Sequence, residues 1–318
     1  MMRAIPLAAV ALLAAAAALV PSASAIAPHH AAANGRIVYS VGAILPDPDL
    51  SAASQIWSVR QDGTHKRQLT HLTKPAQAGD PDVSPNGRRI LFVSNKGGGA
   101  FQVWVMRIDG SRQRQIIHDP KHDAFVPRWA PDGKHLVFTR CMTTFGLIEC
   151  TIARAAVNGA GPHDLTGGHW ADFSAAYSPN GKTVAFSGDR NGLTSAIFRI
   201  ATAGGAPRRL TKPTIEAFWP DYRPDGKRIL FGDNFDRPHT NTLTMNPDGS
   251  HVRQLSHLTD PDSNFGFARY APNGRKVVAD YSDGSGREFL ATMNADGSGL
   301  RKLVRTDNLT FADWAVTS

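Results

Sequence analysis

The tripeptide Pro-Asp-Gly or Pro-Asn-Gly, followed within a few residues by an apolar run, recurs along this chain of 318 residues. Successive copies begin 45 to 48 residues apart. Repetition with such a period is typical of stacked supersecondary units rather than of one irregular domain. The five copies are Pro85-Asn86-Gly87, Pro131-Asp132-Gly133, Pro179-Asn180-Gly181, Pro224-Asp225-Gly226 and Pro272-Asn273-Gly274.

Each unit also contains a second turn and a common ending. The ending is Leu-Thr or Leu-Ser in most units, as at Leu165-Thr166. Glycine after Asp or Asn supplies the positive φ that tight hairpins need. Four short strands in a unit of this length are typical of a propeller blade. The second turns are Asp62-Gly63, Asp109-Gly110, Asn158-Gly159, Gly204-Gly205, Asp248-Gly249 and Asp296-Gly297.

The two ends of the repeat region are complementary. The first unit starts at Asn34 without an inner strand, and Phe311 to Ala315 resembles the strand that is missing. Pairing them would protect two exposed sheet edges and close a ring. We therefore expect an all-β fold: a single domain over residues 34–318, in which six four-stranded antiparallel blades form a β-propeller closed by the C-terminal strand.

These units resemble the WD-like repeat of TolB-type β-propellers. That repeat runs roughly Pro-x-Trp-Ser-Pro-Asp-Gly, then a strand with Phe, then an apolar strand ending in Asp-Gly. The segments Gln102 to Gly110 and Leu243 to Gly249 fit its second half well. The resemblance implies a propeller over essentially the whole mature chain. TolB itself carries an additional N-terminal α/β domain, which we do not expect before Asn34.

The N-terminus has the features of a secretory signal peptide. Arg3 forms a short basic region, residues 4–20 are apolar, and Ala23-Ser24-Ala25 is a small-residue cleavage site. A membrane anchor is the alternative, but polar and small residues follow the apolar run at once. We expect cleavage after residue 25, a short tail over 26–33, and a mature protein without a transmembrane segment at the periplasm, the envelope or outside the cell.

Cysteine content and charge fit an exported protein. Cys141 and Cys150 are the two cysteines of the chain, and export predicts a disulfide between them. The net charge of +8 favours contact with anionic polymers or surfaces, although solubility alone could explain it. Lys and Arg are scattered over all repeats, so we do not expect nucleic-acid binding.

A set of charged residues should surround the mouth of the central channel. They stand three residues before each repeat proline, where Ala176 is the exception, and in the closing strand. A narrow tunnel would pair these charges with one another, whereas a wider mouth could capture a charged peptide end. The expected neighbouring pairs are Asp82–Arg128, Asp221–Arg269 and Arg269–Asp313.

The variable loops, roughly 41–55, 141–150 and 233–241, should lie on the face opposite the Pro-Asp/Asn-Gly turns, and binding usually resides on such loops.

His118 and His122 are four residues apart, a spacing that suits two ligands of one metal only on a helix. They lie in a loop that contains Pro120, so the pattern favours a solvated loop over a metal site. Trp170 and Trp219 lie where the chain enters inner strands. Two roles are possible for them: packing in the blade core, or an aromatic platform for a ligand. Asp260, Asp262 and Asn264 match a calcium loop poorly.

Linear catalytic motifs are missing from the sequence, including the nucleophile elbow, the zinc-binding His-Glu-x-x-His and the phosphate-binding glycine loop. The sequence therefore favours a non-catalytic, monomeric module that binds a protein, a peptide or an anionic envelope polymer. The alternative is a hydrolase or lyase acting on carbohydrate or peptide at the channel mouth. No cofactor is expected. A divalent cation such as Ca²⁺, in the channel or in a loop, is kept as an alternative.

Overall fold

A computed structural model describes residues 33–42, 53–144, 147–167, 171–190, 194–233, 240–258, 260, 262–306 and 309–316. The predicted signal peptide (1–25) and all but the last residue of the predicted tail (26–33) lie outside these residues. The described chain contains 24 strands. In chain order they are β1 (Asn34–Val41), β2 (Gln55–Val59), β3 (Arg67–Gln68), β4 (Ala78–Val83), β5 (Arg89–Ser94), β6 (Gln102–Arg107), β7 (Arg114–Gln115), β8 (Asp123–Trp129), β9 (His135–Thr144), β10 (Leu147–Ala156), β11 (His163–Asp164), β12 (Ala171–Tyr177), β13 (Thr183–Asp189), β14 (Ala196–Ala201), β15 (Arg208–Arg209), β16 (Ala217–Tyr222), β17 (Ile229–Asp233), β18 (Thr242–Met245), β19 (Arg253–Gln254), β20 (Asn264–Tyr270), β21 (Lys276–Ser282), β22 (Glu288–Asn294), β23 (Arg301–Thr306) and β24 (Leu309–Val316).

The expected turn connects the first two strands of each unit. The glycines of the five Pro-Asp/Asn-Gly copies all have φ between 62° and 71°. In the first copy the Gly87 amide donates to the Ser84 carbonyl at 2.8 Å, and the Ser84 amide donates to the Arg89 carbonyl at 2.9 Å. The left-handed glycine thus closes the turn and starts the next strand.

The Leu-Thr ending of the units also has a structural role. The Thr70 hydroxyl accepts a hydrogen bond from the Ile56 amide at 2.9 Å, and the hydroxyls of Thr166, Thr211 and Ser256 accept equivalent bonds from third strands. Each hydroxyl satisfies a buried backbone donor where the very short fourth strand ends.

The number of blades was predicted incorrectly. The structure shows four separate four-stranded blades, not six: β24-β1-β2-β3, β4 to β7, β16 to β19 and β20 to β23. The remaining strands, β8 to β15, form one eight-stranded sheet, because β10 and β12 join in parallel through a bridge between Cys150 and Ala171. Strands β9 and β10 each have 10 residues, which extends their hairpin far enough to make this contact.

Closure by the C-terminal strand is confirmed. β24 pairs with β1 in antiparallel fashion, with Ile37 opposite Trp314 and Val38 opposite Asp313. Trp314 is 3% exposed and packs in a buried cluster with Ile37 and Tyr39. The two ends of the described chain therefore share one sheet.

Apolar side chains between successive sheets form the core. The second strands contribute buried aromatic rings at matching positions: Phe92, Phe138, Phe186 and Phe231. Each hydrophobic cluster combines residues of consecutive repeat units, as where Ala130 and Val137 pack with Phe186. Burial of apolar area on this scale is the main force that holds one sheet against the next.

The disulfide is also confirmed: Cys141 and Cys150 are bonded and face each other across the β9–β10 hairpin. Among the described residues, no helix is long and apolar enough to cross a bilayer.

Candidate functional site: a charged channel beneath a proline and aromatic funnel

Five inner strands carry a bulge at one repeated position. Asp80, Val126, Ser174, Trp219 and Phe267 have φ between 46° and 54°, and each stands five residues before a repeat proline. Pairing with the second strand shifts register at the same point. Non-glycine residues in this region cost about 1–3 kcal/mol each. The strain recurs where the strands line the channel.

The charged residues do meet in the channel, but their pairing differs from the prediction. The expected pair forms between Arg128 Nε and Asp82 Oδ1, at 2.9 Å. Arg128 also bonds to Asp221, and Arg269 Nη1 lies 3.1 Å from Asp82 Oδ1. No direct ion pair joins Arg269 to Asp221 or Asp313 among the described residues. Long arginine side chains thus reach past a neighbouring inner strand to the next one.

The aspartates also connect successive inner strands. Asp82 Oδ2 accepts the Trp129 amide at 2.7 Å, and Asp221 Oδ2 accepts the Tyr270 amide at 2.9 Å. Asp313 Oδ2 accepts the Val83 amide at 2.7 Å, across the closure of the ring. Because each carboxylate bonds to the following inner strand, these side chains have a structural function in addition to any ligand binding.

Burial sets the protonation of this region. It raises the pKa of Asp80, one layer deeper in the channel, to about 7. Burial and then the neighbouring charge of Asp82 raise the pKa of Asp313 to about 7. Burial opposes the charge of Arg128, but Asp82 and Asp221 outweigh it and raise the pKa of Arg128. Burial and the charge of Arg128 lower the pKa of Arg269. Arg128 therefore stays charged while Asp80 and Asp313 titrate near neutral pH.

Above the charges lies a funnel of about 200 Å³. Its floor includes Asp82, Arg128, Asp221 and Asp313. Its walls consist of residues at two repeated positions: the prolines Pro85, Pro131, Pro179, Pro224 and Pro272, and the aromatic residues Trp129, Tyr177, Tyr222, Tyr270 and Trp314. Concave sites with apolar walls and a few polar groups are typical of ligand binding.

The funnel lies on the side of the Pro-Asp/Asn-Gly turns, whereas the sequence placed binding on the opposite face. The aromatic wall was not predicted, although the sequence contains its signal. An aromatic residue stands two positions before four of the five repeat prolines, with Val83 as the exception, and Trp314 takes the same place in the closing strand.

Aromatic rings close the channel on the other side of the charges. The rings of Trp219 and Phe267 lie 4.0 Å apart between centroids, and those of Phe267 and Phe311 lie 4.5 Å apart. A residual cavity of about 10 Å³ remains between them and the two arginines. Trp219 therefore packs inside the channel and separates the funnel from the variable-loop face.

The loop-face histidines lie apart from the funnel. His118 is exposed, whereas His122 Nδ1 lies 2.9 Å from Asp119 Oδ1. Arg140 bonds to Asp119 at 2.7 Å and to Asp164 at 3.2 Å. His122 and Arg140 line a second cavity of about 250 Å³ with Glu149 and Thr151. Trp170, the remaining loop-face residue of the sequence analysis, lies outside the described residues.

Metal binding has no candidate cluster in the part of the chain that the structure describes: no three His, Cys, Asp or Glu side chains there are grouped to hold an ion. The Ca²⁺ considered from the sequence stays a prediction.

The repeat, the ring closure and the channel agree with comparison against known families. Residues 29–318 match the TolB beta propeller domain. This chain belongs to the TolB β-propeller family. Its fold is similar to that of TolB from Acinetobacter baumannii, with a TM-score of 0.72 and 21% identity over 88% of this chain and 66% of that one.

Two curated relatives match shorter stretches of the propeller. One is the uncharacterized peptidase YuxL of Bacillus subtilis, 30% identical over 33% of this chain and 16% of that protein. The other is the uncharacterized protein Atu1656 of Agrobacterium fabrum, 28% identical over 41% of this chain and 45% of its own length. The matches thus cover less than half of either relative.

Proposed function

We propose that this TolB-family propeller is an exported, non-catalytic binding module that holds a protein or peptide segment in the funnel. The observation that carries the proposal is the wall of repeat prolines and aromatic side chains around a charged floor. Rigid aromatic surfaces contribute large contact area at low entropy cost, and the polar floor can orient the ligand. An anionic envelope polymer is the other partner that the net charge of +8 favours.

The floor suits a group that is not anionic. It contains three aspartates and, within the funnel, Arg128 alone as a cation. Arg128 already bonds to Asp82 and Asp221. Asp313 has its one hydrogen bond among the described residues from the Val83 amide. A side chain or terminus that enters the funnel would therefore meet Asp313 as the carboxylate with most remaining capacity to accept a hydrogen bond.

Site-specific photocrosslinking can test which face binds. A photoreactive amino acid would replace Lys182, an exposed residue beside the funnel, or Met142, which is 37% exposed on the loop side. Each protein would be incubated with the extracellular and envelope fractions of the native cells. We expect crosslinks to a defined protein from position 182, reduced when Tyr222→Ala is added. Crosslinks from position 142 alone would show that the loop face, not the funnel, binds.

A hydrolase or lyase is the second candidate, favoured by one observation on the loop side. Asp119 and His122 form a hydrogen-bonded pair at 2.9 Å beside the cavity of about 250 Å³, and such a pair can act as a general base. The match to a relative named a peptidase agrees with this candidate. A screen of peptides and oligosaccharides tests it: turnover that is lost in His122→Asn and kept in His118→Asn would favour the enzyme over the binding module.

A further inference from the structure

The outermost strand of every repeat unit begins with a basic residue. These six residues, called the basic perimeter below, are Arg67, Arg114, His163, Arg208, Arg253 and Arg301. They occupy matching positions, since each pairs with the third strand of its own unit, as Arg67 does with Ser58 and Arg253 with Thr244. All six are exposed. Cations that are scattered in the sequence thus lie once per unit around the outer edge of the propeller.

The outermost strands contain little negative charge of their own, although Asp296 of an adjacent Asp-Gly turn interacts electrostatically with Arg253. Asp164 is the one carboxylate in the six outermost strands, and it bonds to Arg140 at 3.2 Å and to the Thr151 hydroxyl at 3.0 Å. Within the described residues, none of the five perimeter arginines forms an ion pair. Arg301 donates instead to the Asp62 carbonyl at 3.1 Å. The guanidinium groups therefore keep most of their donors available to a ligand.

Near the ring closure the perimeter adjoins a cavity with further arginines. The cavity has about 370 Å³, and its lining residues are Asn34, Gly35, Arg36, Arg60, Gln61 and Asp62. The Arg36 guanidinium is fixed by the Ser58 hydroxyl and carbonyl, both at 3.2 Å. Burial, together with the like charges of Arg60 and Arg67, lowers the pKa of Arg36. An anion placed among these three arginines would offset that repulsion.

We propose that the basic perimeter binds a linear polyanion, a polymer with regularly repeated phosphate or carboxylate groups, and that the cavity beside Arg36 holds one of those groups. Arginine matches both oxyanions through paired hydrogen bonds. One cation per repeat unit presents charge at regular intervals, as such a polymer does. The surface differs from the funnel, so the proposal stands or fails independently of the proposed function.

Edge protection is the competing explanation. Charged residues on edge strands prevent sheets of different molecules from pairing, and this alone would favour Arg at these positions. It does not account for the cavity, however, where Arg36 is half-buried and shares the lining with Arg60 and Asp62. Aggregation and polyanion affinity are separate measurements, so the two explanations can be distinguished.

The test uses fluorescently labelled inorganic polyphosphate and polyglucuronate, with affinity measured over a series of salt concentrations. Binding of either polymer should weaken linearly in log Kd against log salt. The triple variant Arg67→Gln, Arg114→Gln, Arg253→Gln should weaken it at least tenfold and lower the slope by about one per arginine. A matched triple variant, Arg88→Gln, Lys134→Gln, Lys182→Gln, removes the same charge from exposed sites near the funnel and should change affinity far less.

A second matched pair of variants tests the cavity beside Arg36. Arg60→Gln should weaken polyphosphate binding more than Arg107→Gln, which stands two residues before the corresponding Asp-Gly turn of the next unit. Equal loss in the two triple variants would reduce the effect to net charge and overturn the proposal. Unchanged affinity with increased aggregation of the perimeter variant would leave edge protection as the explanation.

Discussion

Arg269 reaches past the inner strand β24 to Asp82, with Nη1 3.1 Å from Asp82 Oδ1 and 3.1 Å from the Pro81 carbonyl. Both side chains are almost fully buried, at 3% and 7% exposure. This contact joins two sheets that are not neighbours around the channel. It shows that the charged residues act as one network rather than as separate neighbouring pairs.

Substitution of Arg269 by Met should destabilise the protein by about 3–5 kcal/mol, because it removes one of the two arginines that compensate the buried charge of Asp82. Urea unfolding followed by tryptophan fluorescence measures the loss. Arg287→Met is the control: Arg287 bonds to Asp283 at the same 3.1 Å, but its side chain is 55% exposed. Its loss should stay below about 1 kcal/mol. Similar small losses in both variants would contradict a stabilising network.

Asp80 should make stability fall as pH rises. Burial raises the pKa of Asp80 to about 7, whereas an unfolded aspartate titrates near about 3.9. Between these values the native protein holds a proton that the unfolded chain has released. The contribution of Asp80 is therefore complete below about pH 4 and is lost progressively up to about pH 7.

Asp80→Asn should flatten that fall, measured by chemical unfolding at a series of pH values. The amide oxygen of Asn can still accept the Val126 amide that Asp80 Oδ2 accepts at 2.9 Å. Asp109→Asn is the control, since the hydroxyl of Ser111 lowers the pKa of Asp109 and its titration lies below this window. A wild-type profile that is flat between about pH 4 and pH 7 would show that Asp80 is not protonated there.

Removal of the disulfide should cost about 2–3 kcal/mol in the double variant Cys141→Ser, Cys150→Ser. The bond closes a short loop between residues 9 apart in sequence, and in the chain-entropy account it restricts the unfolded state. Thermal unfolding with and without reductant measures the effect. The wild-type protein should lose stability on reduction, whereas the double variant should not respond. An equal response of both proteins to reductant would contradict the assignment.

Trp314→Ala should open the ring closure at a cost of about 3–5 kcal/mol, because the indole fills the cluster between β24 and the neighbouring sheets. Calorimetric unfolding measures the loss. Leu300→Ala removes an apolar side chain that is 43% exposed and should cost less than about 0.5 kcal/mol. If the two variants unfolded at the same temperature, β24 would not contribute to closure.

Several features of the fold could be predicted because they depend on local chemistry. The turn at Pro131-Asp132-Gly133 favours proline at its second position and has glycine with positive φ at its end, and this order of residues supplies both. The likeness of the segment around Trp314 to the segment around Trp129 also predicted closure.

The candidate site was harder to predict, because it depends on distances between units. The charged residues meet in the channel, but the partner of each arginine depends on its reach across that channel, which the sequence does not record. Arg128 therefore bonds to Asp221 beyond the intervening Ala176. The aromatic residues of the wall repeat as regularly as the prolines. That they line a funnel depends on the side of the ring toward which the inner strands run, which the sequence does not show.

The sequence by itself determined the repeat, the all-β propeller and the closure of the chain on itself, because turns and alternating apolar runs are local and are repeated in every unit. Only the tertiary structure decided that eight strands share one sheet, since the bridge between Cys150 and Ala171 depends on how far a hairpin extends toward its neighbour. It alone also decided that the charged floor lies beneath the prolines, and that aromatic rings block the channel behind it, because both are consequences of how the units meet around an axis.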